Sequence, residues 1–174
     1  RYVIMCPYNN MLILIAVFVS GRTWRKFVMR KRSAQKWIKI NMRIMIMDGQ
    51  GGGVGRSLIE ELHSRFPEAE LIAVGTNAMA TANMMKGGTS IGATGENAVI
   101  YNSSRVDAIV GPIGIVMANA MLGEITPKMA EAVAAGDAKV FLIPMNRSQA
   151  QVVGVENKKL GDYIREAADR LAEL

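Results

Sequence analysis

Cysteine and histidine each occur once in 174 residues, as Cys6 and His63. Beyond Cys6 there can be no disulfide, no thiolate nucleophile and no cysteine-rich zinc site. A serine–histidine triad needs an imidazole beside the nucleophile and a carboxylate behind it. His63, in ELHSRF, falls late in a helical pattern and reads as a solvated surface residue. Chemistry in this chain must therefore rest on carboxylates, amines, hydroxyls, backbone amides or a bound cofactor. Long apolar runs are missing as well. The run MLILIAVFV, residues 11–19, has nine residues, whereas a membrane-spanning helix needs about 20.

Acidic side chains are absent from residues 1–41, which hold nine basic ones, both tryptophans and the cysteine. The formal charge of +6 is therefore local, because residues 42–174 carry 12 basic and 15 acidic groups, a net of −3. An export signal would place its basic residues before the apolar stretch, but here RTWRKFVMRKR follows it. Basic residues interleaved with Trp24, Phe27 and Trp37 suit an anionic membrane surface or single-stranded nucleic acid. The sequence starts with Arg1, and Met42 stands directly before RIMIMDGQGGG. Residues 1–41 are accordingly expected to be an upstream translated stretch or an appended segment outside the fold, with a genuine tail as the alternative. Residues 42–174 are expected to form a single domain with no nucleic-acid or membrane partner.

From Met42 short apolar strands alternate with helical stretches, the pattern of a three-layer α/β sandwich around a mostly parallel sheet of five or six strands. RIMIM (43–47) reads as a strand covered on both faces. VGRSLIEELHSRF carries Val54, Leu58, Ile59, Leu62 and Phe66 at helical spacing. ELIAV, TSIGA, DAIVG and KVFLI are the next strands, and QVVGV (151–155) an edge strand. Helices are expected over NAMATANMMK, ENAVIYNSSR, the small-residue stretch 113–122, a Thr126-capped segment beginning at Pro127, and LGDYIREAADRLAEL. The last should turn Leu160, Tyr163, Ile164, Ala167, Leu171 and Leu174 inward. The ten methionines after residue 41 are assigned to filling the core.

DGQGGGVGRS joins the first strand of this body to its first helix, where glycines let a phosphate reach backbone amides at the positive end of a helix. Gly49, Gly51, Gly52, Gly53 and Gly55 exceed what a tight turn requires. The spacing matches no standard fingerprint. G-x-G-x-x-G would need glycine at Val54, a P-loop would need lysine at Arg56, and Gly75-Thr76-Asn77 stands where a dinucleotide fold usually has its ribose-binding carboxylate. Asp48, at the strand tip, would repel a pyrophosphate unless Mg²⁺ bridged them; it is either a base, a sugar contact or a cap for the loop's own amides. The other strand tips are polar or glycine-rich too, which assigns Thr76, Asn77, Thr94, Glu96, Asn97, Asn146 and Arg147 to a common site beside Gln50 and the glycines. Asp48 and Glu96 are the acid–base candidates. Thr94 as a helix cap and Glu96 as a first-turn charge are the structural alternatives.

IMDGQGGGVGRS, AVGTNAMAT, GATGENAVIYN, VGPIGIVMANAMLGEITPKMAEA and LIPMNR, in that order, resemble a family of small bacterial Rossmann-like proteins of unknown function. The resemblance spans residues 42–155. That family often has lysine in place of Arg56 and cysteine in place of Ser148, and the resemblance implies a cytoplasmic setting but no activity. A weaker similarity, to methylglyoxal-synthase-like phosphate turns, falls on Gly75, Thr76 and Thr81, one residue off the usual spacing. The expectation is a homo-oligomer that binds a small phosphorylated ligand, a nucleotide or NAD(P), with Mg²⁺ as the candidate cation. Alternatives are a phosphometabolite lyase or hydrolase, and a non-enzymatic oligomeric subunit with helix 113–122 as its interface.

Overall fold

The computed structural model describes residues 14–15, 27–28, 42–145 and 152–174. The chain divides into two units, Arg1–Ile40 and Asn41–Leu174. In the first, β1 (Leu14–Ile15) pairs antiparallel with β2 (Phe27–Val28).

The second unit is a Rossmann-like α/β sandwich. Its strands are β3 (Arg43–Asp48), β4 (Glu70–Gly75), β5 (Ile91–Thr94), β6 (Ala108–Pro112) and β7 (Lys139–Ile143). They form one wholly parallel five-stranded sheet in the order β5-β4-β3-β6-β7. From β3 the chain winds out to one edge and then returns to the other side, so the winding direction reverses between β3 and β6. At such a switch point the loops leaving the two central strands diverge to opposite faces and open a crevice at the carboxyl end of the sheet.

Strand alternation builds the two cores. Ile44 and Ile46 face one way, with Leu71, Ala73, Ala108 and Val110, under α1 (Gly53–Arg65), α2 (Ala78–Met85) and α5 (Leu160–Leu171). Met45 and Met47 face the other way, with Ile72, Val74 and Ile109, under α3 (Glu96–Ser103) and α4 (Pro127–Ala134). All four β3 side chains named here are fully buried, which is why that strand is apolar at successive positions instead of alternating. On α1 the buried stripe is Leu58, Ile59 and Leu62, as the spacing predicts, with Val54 and Phe66 at its margins.

Four expectations change. Residues 113–122 do not form an α-helix: a short 3-10 turn, Ile113–Val116, gives way to a loop in which Asn119, Met121 and Leu122 have φ of 64°, 56° and 60°. Left-handed backbone at three such positions breaks any helix, and the oligomer interface assigned to a helix there has no helix to stand on. QVVGV is not an edge strand over its described part, because residues 152–155 carry a turn with Gly154 at φ 86°. The closing helix buries Ile164, Ala167, Ala168 and Leu171, while Leu160 and Leu174 are exposed. Met45, Met47, Met84 and Met129 fill the core, but Met79 lies on the surface at 67% exposure. Among the described residues no helix is long and apolar enough to cross a membrane.

Candidate functional site

The glycine loop leaves β3 at the switch point and is braced from below by Asp48. This carboxylate is buried, and its two oxygens accept from the amides of Gly49 and Gly55, each at 2.8 Å. Burial pushes the Asp48 carboxyl above the usual range, against the lowering effect of the Gly55, Gly49 and Val54 amides, and the nearby charge of Glu124 adds to the rise. The first turn of α1 contains no acidic residue and Gly52 offers it no side-chain cap. Asp48 thus supplies from the strand the anion that a helix N-terminus attracts.

The five glycines separate into two kinds. A Cβ on Gly52, whose φ is 66°, would lie 2.5 Å from the Ala80 carbonyl oxygen. One on Gly55 would lie 2.8 Å from Met84 Cε and 2.9 Å from Asp48 Cβ, and one on Gly49 would meet Met121 Sδ at 2.6 Å and Glu124 Oε2 at 2.9 Å. Gly52 is required by the backbone it faces, while Gly55 and Gly49 are crowded by side chains that a Cβ would have to displace. Gly51 and Gly53 are exposed, their φ angles are unexceptional, and a Cβ on either would meet nothing within 4 Å. Among the described residues their amides hold no hydrogen-bond partner.

The tip of β4 closes one side. Asn77 caps α2, with Oδ1 accepting from Ala80 N at 2.8 Å, while its Nδ2 donates to the Gln50 carbonyl at 3.0 Å and so ties α2 to the glycine loop. Asn83 adds a second tie, Nδ2 to the Gly51 carbonyl at 2.8 Å. Thr81 is buried and shares a hydrogen bond with Thr94 at 2.7 Å, besides donor contacts to the Asn77 and Ala93 carbonyls. The phosphate-turn similarity would need that hydroxyl for a ligand, and it is spent on joining α2 to β5. Thr94 is likewise a strut here and not the helix cap, which is Gly95. Glu96 accepts from the Thr126 hydroxyl at 2.6 Å, fastening the start of α3 to the start of α4, where Thr126 also caps Met129 N at 3.2 Å. Asn97 is exposed. Arg56 pairs with Glu60 at 2.8 Å along the outside of α1. Asn146 and Arg147 lie outside the described residues.

The residue that sequence reasoning misses is Glu124. Carried on the loop after β6, the other strand of the switch point, its Oε2 accepts from Gln50 N at 2.8 Å, from Asn77 Nδ2 at 3.1 Å and from the Thr76 hydroxyl. Foremost the Thr76 hydroxyl, then the Gln50 amide, hold the Glu124 carboxyl below its ordinary range. A lowered folded pKa means that this contribution to stability is complete above the ordinary glutamate range and is lost as pH falls through the folded value. Thermal melts against pH should therefore show an acid-side decline that is shallower in Glu124→Gln than in the wild type; identical profiles would remove Glu124 from the stability balance. Among the described residues no group of three or more His, Cys, Asp or Glu side chains is placed to hold a metal ion.

The sheet order and the loop at its centre define a Rossmann-like domain with a glycine-rich crevice. The chain belongs to the family described as Domain of unknown function (DUF3842), which matches residues 43–174. No curated protein gives a significant match. Among solved structures, the chain is similar to a dodecameric FMN-dependent Ubix-like decarboxylase from Escherichia coli O157:H7, at 16% identity and a TM-score of 0.44, covering 76% of this chain and 93% of that one. A similarity that remote carries neither ligand nor assembly across.

Proposed function

We propose that residues 42–174 bind a nucleotide or dinucleotide whose phosphates lie against the amides of Gly51 and Gly53, with ribose or base toward Thr76 and Asn77. One observation carries this reading: of five glycines in the loop, three face close neighbours, and the two that do not are the two that open to solvent at the switch point. Backbone donors with no side chain in front of them are what a phosphate requires for close approach. Asp48 and Glu96, each already bonded within the fold, brace this site in the proposed reading, and no reaction is assigned to them.

Gly53→Leu tests it. A Cβ there meets nothing within 4 Å, and the leucine replaces glycine at the first position of a helix, so the melting temperature should hold or rise slightly. Binding should be lost. In thermal-shift measurements with ATP, NAD⁺ and NADP⁺, a ligand at 100 times its Kd stabilises by about 2.7 kcal/mol. That gain should appear in the wild type and vanish in the variant. A variant that keeps it places the phosphates elsewhere.

A further inference from the structure

Beside the open amides of Gly51 and Gly53, three further donors at the same crevice already hold an anion. Gln50 N, Asn77 Nδ2 and the Thr76 hydroxyl come from two strand tips and converge on one oxygen, Oε2 of Glu124. Three donors around a single anionic oxygen are the surroundings a phosphate oxygen takes in a protein site, so the trio is shaped for an oxyanion from outside as well as for this one. Glu124 does not sit on the glycine loop or on β4. It is brought over them by residues 117–126, and the same segment lays the Met121 sulfur against Gly49, where an added Cβ would stand 2.6 Å away.

The segment itself is held in an unfavourable backbone. Asn119, Met121 and Leu122 are left-handed, at φ 64°, 56° and 60°, followed by Gly123 at 88°. Asparagine tolerates this region; methionine and leucine do so rarely. Leu122 gains no burial in return, at 97% exposure. Short-range bonds keep the turn together, Asn119 N to the Ile125 carbonyl at 2.7 Å and Ile125 N to the Ala120 carbonyl at 3.2 Å. Its far end is anchored by Ile125, fully buried in the core, and by Thr126 on Glu96, while Glu124 with its three donors and Met121 on Gly49 hold residues 117–124 over the crevice. Residues kept in sparsely populated conformations by a few outside contacts cluster at switches and ligand clamps.

We propose that Glu124 is a built-in occupant of the anion subsite and that residues 117–124, anchored at the buried Ile125, form a latch which a phosphorylated ligand displaces. The inference rests on the nucleotide-binding reading and adds a competitor within the chain. A ligand whose ribose or base takes Thr76 and Asn77, with its phosphates on the amides beside Gln50, needs donors that Glu124 holds, and its phosphate charge repels the carboxylate.

Calorimetric titration of the full chain with ATP and with NAD⁺ tests it. Glu124→Gln keeps the size of the side chain and removes its charge, so it should bind whichever of these the wild type binds, about tenfold more tightly. Wild type binding as tightly as the variant, or more tightly, overturns the latch and leaves the nucleotide reading standing. Neither protein binding either probe overturns both. A second measurement needs no variant: hydrogen exchange of the wild type, with and without saturating nucleotide, over residues 117–126. Amides of Asn119 and Ile125 should exchange faster when ligand is bound, and unchanged or slower exchange in the bound state overturns the displacement.

Discussion

Gly52→Val is expected to destabilise the domain by at least about 3 kcal/mol, and to do so before any ligand is considered. Two costs add. A side chain at φ 66° costs roughly 1–2 kcal/mol in left-handed backbone. The new Cβ would also lie 2.5 Å from the Ala80 carbonyl oxygen and 2.8 Å from Ala80 Cα. Overpacking typically costs about 1–3 kcal/mol where a core can shift. Here the obstacle is the backbone of α2, itself tied to the loop through its cap Asn77 and through Asn83, so the upper part of that range applies. Denaturant titration of the variant beside Gly53→Leu gives the contrast, one glycine away: large loss for Gly52, little or none for Gly53. Equal stabilities would mean that the loop lacks the left-handed geometry described, and the division into structural and open glycines would fall with it.

That division marks the limit of what the sequence could tell. The order of strands and helices after residue 42 was legible because both faces of the sheet are buried, and apolar runs such as RIMIM, ELIAV and DAIVG have no other use in a chain with this helix spacing. The glycine loop was legible from its density and place. Its internal roles were not, since five glycines look alike until one sees that Ala80, Met84 and Met121 crowd three of them. The stretch 113–122 misled because alanines, methionines and leucine score as helix formers, whereas the turn is imposed by closures such as Asn119 to Ile125 and by contacts with a loop some seventy residues away. Glu124 was hidden for the same reason. It stands in GEIT, immediately before a well-capped helix, and reads as an ordinary surface carboxylate. The available signal was topological: it follows β6, and the loops of β3 and β6 border the same crevice, across which Glu124 reaches Gln50.

Asp48→Ala should cost about 2–4 kcal/mol and lower the melting temperature by about 10 °C, for the amides of Gly49 and Gly55 would lose their acceptor in a buried place. Each unsatisfied buried donor costs about 1–3 kcal/mol, and the variant recovers part of that by removing a carboxylate which burial penalises. The pH dependence follows from the sign of that penalty. With its folded pKa raised, Asp48 contributes less to stability as pH climbs from the ordinary aspartate range through the folded value. The gap between wild type and Asp48→Ala should therefore be widest in acid and narrow as pH rises, opposite in direction to the gap between wild type and Glu124→Gln. Two carboxylates meet the same loop, one from beneath and buried, the other from above and half-open. Chemical denaturation of both variants from about pH 2 to 8, which spans the ordinary glutamate range and below, separates them: gaps that move in the same direction would mean that the brace and the latch are a single coupled unit.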